Sequence, residues 1–267
     1  MTNSKIEIHR KTLILGDLHI GDINFDLTEN FISLINSDDF DAIIIGGDTF
    51  DSWRGGPIGQ LILKHKTILE SLKDKNVIFI KGNHDKNLDE LEKSGFVVRN
   101  YYEYLTPKKQ SVKILHGHEF DKYRKPFEKP GRVVVFFEEK TNRLLKWLKL
   151  PLAFRITKLW FSLDRHTVWL SLRRNTHLYS NNDVLVFGHT HIPMHGQLKN
   201  GTIFYNWGSW QRERGYRPSY IIQDNNEFSI KFLDVYRSIL IFKFITLFKK
   251  IKHTYDNGKR IISRKNS

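Results

Sequence analysis

The sequence predicts an α/β fold, and three observations carry that reading. Apolar runs of strand length recur through the first 120 residues. Stretches of helical periodicity separate them. Each run ends in a polar cluster, the position where open α/β sheets gather their chemistry.

The strand-like runs are LILGDLHI (13–20), AIIIGGDTF (42–50), VIFIKGNHD (77–85) and VKILHGHEF (112–120). The helix-like stretches between them are LTENFISLINS (27–37) and IGQLILKHKTILESLKD (58–74). Alternation at this spacing predicts βαβ units and a largely parallel or mixed sheet. The pattern changes after Pro126. Residues 127–150 and 151–177 read as helices broken near Pro151, rich in Trp, Phe, Leu, Lys and Arg. Strand patterns return at DVLVFGHTH (183–191), GTIFYNWGSW (201–210), PSYIIQ (218–223) and EFSIKFLDVY (227–236). Residues 121–182 are therefore expected to be a helical insertion within one domain spanning 1–236.

The remaining segment, 237–267, is expected to be a basic amphipathic tail. In SILIFKFITLFKKIKH (238–253), Lys243, Thr246, Lys250 and His253 share one face of a helical wheel, with Phe, Ile and Leu over much of the rest. That arrangement suits a helix lying in a membrane interface, with lysines reaching anionic headgroups. A helix or strand packed onto the core is the alternative. The end, NGKRIISRKNS, is expected to be disordered.

Charge and composition narrow the function classes. The chain of 267 residues carries 43 Lys and Arg against 29 Asp and Glu, a formal charge of +14. The excess is concentrated: 121–182 holds 14 basic against 5 acidic residues, and 231–267 holds 10 against 2. The rest is slightly acidic. Two basic segments point to an anionic partner, whether a phosphate-bearing substrate, a nucleic acid or an acidic membrane surface. Cysteine is absent, which excludes a disulfide framework and a thiolate metal site and fits a reducing compartment. The N-terminus lacks the apolar core of a signal peptide, and no run of eighteen apolar residues occurs. The expected location is cytoplasmic, with the tail able to hold the protein peripherally on the inner face of the membrane.

Five polar clusters carry the chemistry: Asp17-Leu-His19, Gly47-Asp48, Gly82-Asn83-His84-Asp85, His116-Gly117-His118 and Gly188-His189-Thr190-His191. Each is weak alone, since an Asp-x-His arises by chance and a Gly-Asp is usually a turn. As an ordered set, all following apolar runs, they supply oxygen and imidazole donors without thiolate. Such donors suit Mn, Fe, Zn or Co better than Ca or Mg.

In these motifs the chain resembles the calcineurin-like metallophosphoesterases. The family signature, D-x-H, G-D, G-N-H-[DE], H and G-H-x-H, appears as GDLHIG, GGDTFD, GNHD, LHGHEFD and FGHTH across about residues 13–210. The resemblance implies a four-layer α/β/β/α sandwich with a two-metal centre between strand ends. It implies that Asp17, His19 and His191 hold one divalent cation and Asn83, His116 and His189 the other, with Asp48 bridging. Manganese is the expected metal. The implied reaction is in-line attack on phosphorus by a hydroxide held between the cations. By the same resemblance His84 approaches the phosphoryl group, stabilising charge or protonating the leaving oxygen, with Asp85 fixing its orientation. His118 is either a neighbour of the ligands, a substrate contact or a packing residue. Substrate-binding residues are not assigned.

Within the superfamily, GDTFDSW resembles the GD-x-F-[DE]-x-W segment of the UDP-2,3-diacylglucosamine diphosphatases of lipid A synthesis. YNWGSW (205–210) is similar to the N-x-G-S-W that follows G-H-T-H there, and those enzymes also carry a helical lid between H-G and G-H-x-H. The chain departs from that group in having His84 where G-N-R-D places Arg, and His118 where H-G-D places an acid. The expected substrate is amphiphilic: arginines of the insertion would meet a pyrophosphate and its aromatics the acyl chains. One alternative is a phosphodiesterase whose basic insertion tracks nucleic acid and stacks bases. Long apolar stripes such as VVVFF and LLKWLKL suit a greasy lid better. A second alternative, a binding module that has lost catalysis, is disfavoured because all seven ligands and His84 are present.

Overall fold

In a computed structural model of the protein, the described residues are 7–21, 27–53, 55–85, 87–120, 181–211 and 217–233. Nearly all of the expected insertion and all of the expected tail lie outside them. The chain separates into two units, Met1–Phe232 and Leu233–Ser267.

Two sheets build the first unit. The strands are β1 (Lys11–Leu15), β2 (Ala42–Ile45), β3 (Val77–Ile80), β4 (Val97–Arg99), β5 (Tyr101–Leu105), β6 (Ser111–Leu115), β7 (Val184–Phe187), β8 (Met194–Gln197), β9 (Ile203–Asn206), β10 (Ser219–Asp224) and β11 (Glu227–Phe232). One sheet runs β11-β10-β1-β2-β3-β4, the other β5-β6-β7-β9-β8. In the first, β1, β2, β3 and β4 are mutually parallel, while β10 joins β1 antiparallel. In the second, β6, β7 and β9 are parallel, with antiparallel β5 and β8 at the edges. The expected mixed sheet is thus two mixed sheets, as the family resemblance implied.

Alternation across each strand divides the core. Ile14, Ala42, Ile44, Ile78 and Ile80 of the first sheet join Tyr104, Val112, Ile114, Val184 and Val186 of the second in one cluster. Leu13, Leu15, Ile43, Ile45 and Phe79 take the intervening positions and are equally buried. A strand buried on both faces reads as a continuous apolar run, which is why β1, β2 and β3 were legible. The α-helices among the described residues are α1 (Thr28–Ile35), α2 (Ile58–Lys64) and α3 (Lys66–Glu70). α1 buries Phe31, Leu34 and Ile35, and α2 buries Ile58 and Leu61, at the i, i+3, i+4 spacing of an amphipathic helix.

The differences from expectation are local. The single helix expected over 58–74 is interrupted at His65. Strands β4, β5 and β8 had no counterpart in the reading, being short or at sheet edges with half their side chains in solvent. The strands before the motifs also stop early. β1 ends at Leu15 and β2 at Ile45, so the buried residues Leu18, Ile20 and Phe50 belong to loops. No helix among the described residues is long and apolar enough to cross a membrane.

Candidate metal centre

Parallel pairing brings the carboxyl ends of the strands together. Leu15 lies opposite Ile45, so Asp17 and His19 leave β1 beside Asp48 leaving β2. Asn83 and His84 follow β3, His116 follows β6, and His189 and His191 follow β7. The loops remain hydrogen-bonded beyond the strands: Asp17 N donates to Gly47 O at 2.9 Å, and His19 N to Asp48 O at 2.9 Å. Within the second sheet Gly188 N donates to His116 O at 2.9 Å, and across the two sheets His189 N donates to Asp17 Oδ2 at 3.0 Å.

Five of these residues occupy the left-handed region: Asp17 (φ 50°), His19 (51°), Asp48 (47°), His189 (64°) and His191 (60°). Eight non-glycine residues do so among the described residues, so the strain is concentrated here. Each such conformation costs on the order of 1–3 kcal/mol and persists only where surrounding bonds over-determine it. The alternation at Asp17 and His19, and again at His189 and His191, turns both members of each pair toward the same opening.

The donor atoms fall into groups. In the first, His191 Nε2 lies 3.0 Å from Asp17 Oδ1 and 3.3 Å from His19 Nε2, and His19 Nε2 lies 3.8 Å from Asp48 Oδ2. The donors of Asp17, His19, Asp48 and His191 all lie within 4.8 Å of one another. Asp48, His116 and His189 form a second group by the same measure. There His116 Nε2 lies 3.3 Å from Asp48 Oδ2 and 3.2 Å from Asn83 Oδ1. Asp48 is common to both. Its Oδ1 accepts the His84 backbone N–H at 2.8 Å, leaving Oδ2 toward the imidazoles.

The electrostatics fit a cation. Burial alone would raise Asp17, Asp48 and Asp51, but facing imidazoles hold all three carboxyls below their usual range. Burial would likewise strip His116 of its second proton, yet Asp48 and then Asp17 push its pKa up to about 10. Buried carboxylates thus recruit positive charge from whatever is near. Imidazole nitrogens converging on shared carboxylate oxygens, with no cysteine anywhere in the chain, are the donor set of a carboxylate–imidazole metal site.

His84 stands at the edge of this cluster, ring-stacked on Trp53 at 3.9 Å and edge-on to His19 at 4.8 Å. Its Nδ1 lies 3.1 Å from Asp51 Oδ1, while Asp51 Oδ2 lies 3.4 Å from His19 Nδ1. Asp85, expected to orient His84, sits elsewhere. It accepts the backbone N–H groups of Phe50 at 2.9 Å and of Thr49 and Gly82 at 3.1 Å. Burial, and then the Asp48 charge, push Asp85 up to about 7. The orienting carboxylate is therefore Asp51, and Asp85 ties the loop after β3 to the loop after β2. Sequence reading had a signal for Asp51, the second acid of GDTFD, but assigned it no role.

His118 lies at the rim of the second group, with ring centroids 5.4 Å from His116 and 6.4 Å from His189. Burial pushes it down to about 4. The YNWGSW segment, read only as a family-like motif, also meets the site. Trp207 Nε1 donates to Asp17 Oδ2 at 2.8 Å, and Ser209 Oγ and Trp210 N both donate to the Asp17 carbonyl at 3.1 Å. Asn206 Nδ2 donates to Gly188 O at 2.8 Å and to Thr190 Oγ1 at 3.0 Å. YNWGSW is thus a brace beneath the loops of Asp17 and His189.

The family model for calcineurin-like phosphoesterases matches residues 10–193, more than half of the chain. A UDP-2,3-diacylglucosamine hydrolase of Shewanella piezotolerans is 27% identical over 221 residues, covering 76% of this chain and 91% of the relative. One of Wigglesworthia glossinidia brevipalpis is 28% identical over 249 residues, covering 85% and 96%. Among solved structures, a novel archaeal phosphodiesterase aligns with 84% of this chain and 99% of its own, at 14% identity and a TM-score of 0.46.

Proposed function

Because the chain belongs to the calcineurin-like phosphoesterase family and is a hydrolase of phosphoester bonds, we propose that it is a two-cation pyrophosphatase acting on a lipid-linked nucleotide sugar such as UDP-2,3-diacylglucosamine. The observation that carries the two-cation part is Asp48, whose carboxylate belongs both to the Asp17, His19 and His191 group and to the His116 and His189 group. On this reading Asp17, His19 and His191 hold one cation and Asn83, His116 and His189 the other. Manganese is the first choice of metal. Bound there, divalent cations would polarise phosphoryl oxygens and lower the pKa of water.

The chain's own residues supply the rest. With Nδ1 engaged by Asp51, His84 presents Nε2 to the substrate, suited to give a proton to the leaving phosphate oxygen. Stacking on Trp53 fixes the ring plane. Asp85 holds the His84 loop against the Asp48 loop through Thr49, Phe50 and Gly82.

Support for the substrate comes from the activity for which the relatives are named, from GDTFDSW, and from the basic aromatic composition of 121–182. That segment is proposed as a lid within a domain spanning 1–236, and 237–267 as a basic tail meeting anionic lipid at the inner face of the membrane. The test offers the Mn²⁺-loaded full chain UDP-2,3-diacylglucosamine in mixed micelles, its unacylated counterpart, and single-stranded DNA. Cleavage of the acylated pyrophosphate, dependent on detergent, is expected. Faster cleavage of DNA, with steep loss at high salt, would assign the site to nucleic acid.

A further inference from the structure

We infer that Trp207 is a positioning residue for Asp17, setting which carboxylate oxygen that residue offers to a metal. The inference rests on the proposed two-cation reading but does not follow from it. Trp207 is fully buried where the two sheets meet beneath the ligand loops. Its indole touches three of those loops at once. A Cβ on Gly16, Gly46 or Gly188 would lie 2.7, 2.2 or 2.3 Å from indole atoms. These glycines precede Asp17, the Gly47-Asp48 pair and His189, and they belong to loops from both sheets. Only a residue without a side chain lets the backbone lie this close to the ring.

Close packing alone would make Trp207 a core residue. Its N–H makes it more. Asp17 Oδ2 accepts that indole N–H at 2.8 Å and the His189 backbone N–H at 3.0 Å. Two donors on one oxygen fix the rotation of the carboxylate. Oδ1 is thereby left toward His191 Nε2, 3.0 Å away, and His19 Nε2, 3.9 Å away. Hydrogen bonds of this kind orient a ligand and tune the metal it holds. The indole N–H bond goes to Asp17, which belongs to the first donor group and not the second, so the effect on orientation is expected at one cation.

The test is calorimetric titration of Mn²⁺ into metal-free full-length protein, parent against two variants. Trp207→Phe removes the donor and part of the ring. Site-specific replacement of Trp207 by 3-benzothienylalanine keeps the bicyclic shape and exchanges N–H for sulfur, so it reads the donor alone if the phenylalanine variant unfolds. The parent should bind two equivalents. In the variants one equivalent should weaken about 10–100-fold and the other hold its affinity, while hydrolysis recovers at saturating Mn²⁺. Parental affinity at both sites, or equal weakening of both, would overturn the positioning role and leave the two-cation reading standing. A benzothienylalanine variant that loses its fold would make the N–H a folding determinant and overturn the role too. A parent binding fewer than two equivalents would remove the two-cation reading itself.

Discussion

Replacing Asp51 by asparagine keeps the shape of the side chain but leaves one acceptor where two imidazoles each have a carboxylate oxygen. Asp51 is fully buried, with Oδ1 3.1 Å from His84 Nδ1 and Oδ2 3.4 Å from His19 Nδ1. An asparagine can accept from only one of them. If His19 holds a cation through Nε2, its Nδ1 must stay protonated, so the amide oxygen turns to His19 and the NH₂ faces His84. His84 then loses the anion that stabilises its protonated form. A hydrogen bond to a charged group contributes about 1.5–3 kcal/mol, which corresponds to roughly 10–150-fold in rate. The assay is steady-state hydrolysis of aryl phosphodiesters at saturating Mn²⁺, with bound metal measured in parallel. Asp51→Asn should keep both cations and lose kcat by that factor. The loss should shrink with p-nitrophenolate, which departs without a proton, and grow with poorer leaving groups. Adding His84→Ala should cost little more than His84→Ala alone, because the two act as a unit. Full retention of kcat, or losses that multiply in the double variant, would refute the reasoning.

Gly46→Ala forces a Cβ to within 2.2 Å of the Trp207 ring, and overpacking of this kind costs about 1–3 kcal/mol. At roughly 2–4 °C per kcal/mol for a domain of this size, the melting temperature should fall by about 2–12 °C, and an unchanged melt would mean that the ring yields. At the opposite end of β1, His9 is buried against Tyr102 at 2.7 Å, and burial holds its pKa below the usual value despite Glu7. As pH falls through about 6.5 the unfolded chain binds that proton first, so folded stability is lost in the window below the unfolded pKa. His9→Gln should therefore lose less stability than the parent between about pH 8 and pH 5.5 in urea titrations, and equal losses would show that His9 does not contribute. Deleting about 131–178 should spare hydrolysis of small diesters and abolish that of the acylated substrate; parallel loss of both would make the segment scaffold.

Legibility in the sequence followed burial and direction. β1, β2, β3 and β7 were visible because both faces are buried and apolar residues run on, and β6 because its apolar residues around Lys113 lead directly into the His116 motif. β4 and β5 were not, since a pattern such as YYEYL at a sheet edge carries no continuous apolar run. The order and chemistry of the candidate-site motifs were plain, and the structure brings Asp17, His19, Asp48, Asn83, His116, His189 and His191 to one opening. What sequence spacing could not supply was the side-chain pairing around them. Asp85 adjoins His84 in the chain but its carboxylate turns back to the Gly82 amide, while Asp51, 33 positions away, meets the ring. Trp207 likewise lies 190 positions from the carboxylate it holds, a contact that only the joining of two sheets creates. The left-handed turns at these residues also left no trace, since few non-glycine residues adopt that region, Asp and His among the more tolerant, and tertiary bonds hold them there.

On the proposed reading, Asp48 shares its carboxylate between two cations that together support hydrolysis at phosphorus. The most direct test of that reading is metal content and bis-p-nitrophenyl phosphate hydrolysis, measured together on metal-free, Mn²⁺-loaded and Asp48→Ala protein. The loaded parent should carry two equivalents of metal and turn over only with metal, and Asp48→Ala should lose both while keeping its fold. A folded parent carrying two equivalents that hydrolyses nothing with any divalent metal, or an Asp48→Ala variant that keeps both cations and full turnover, would contradict it.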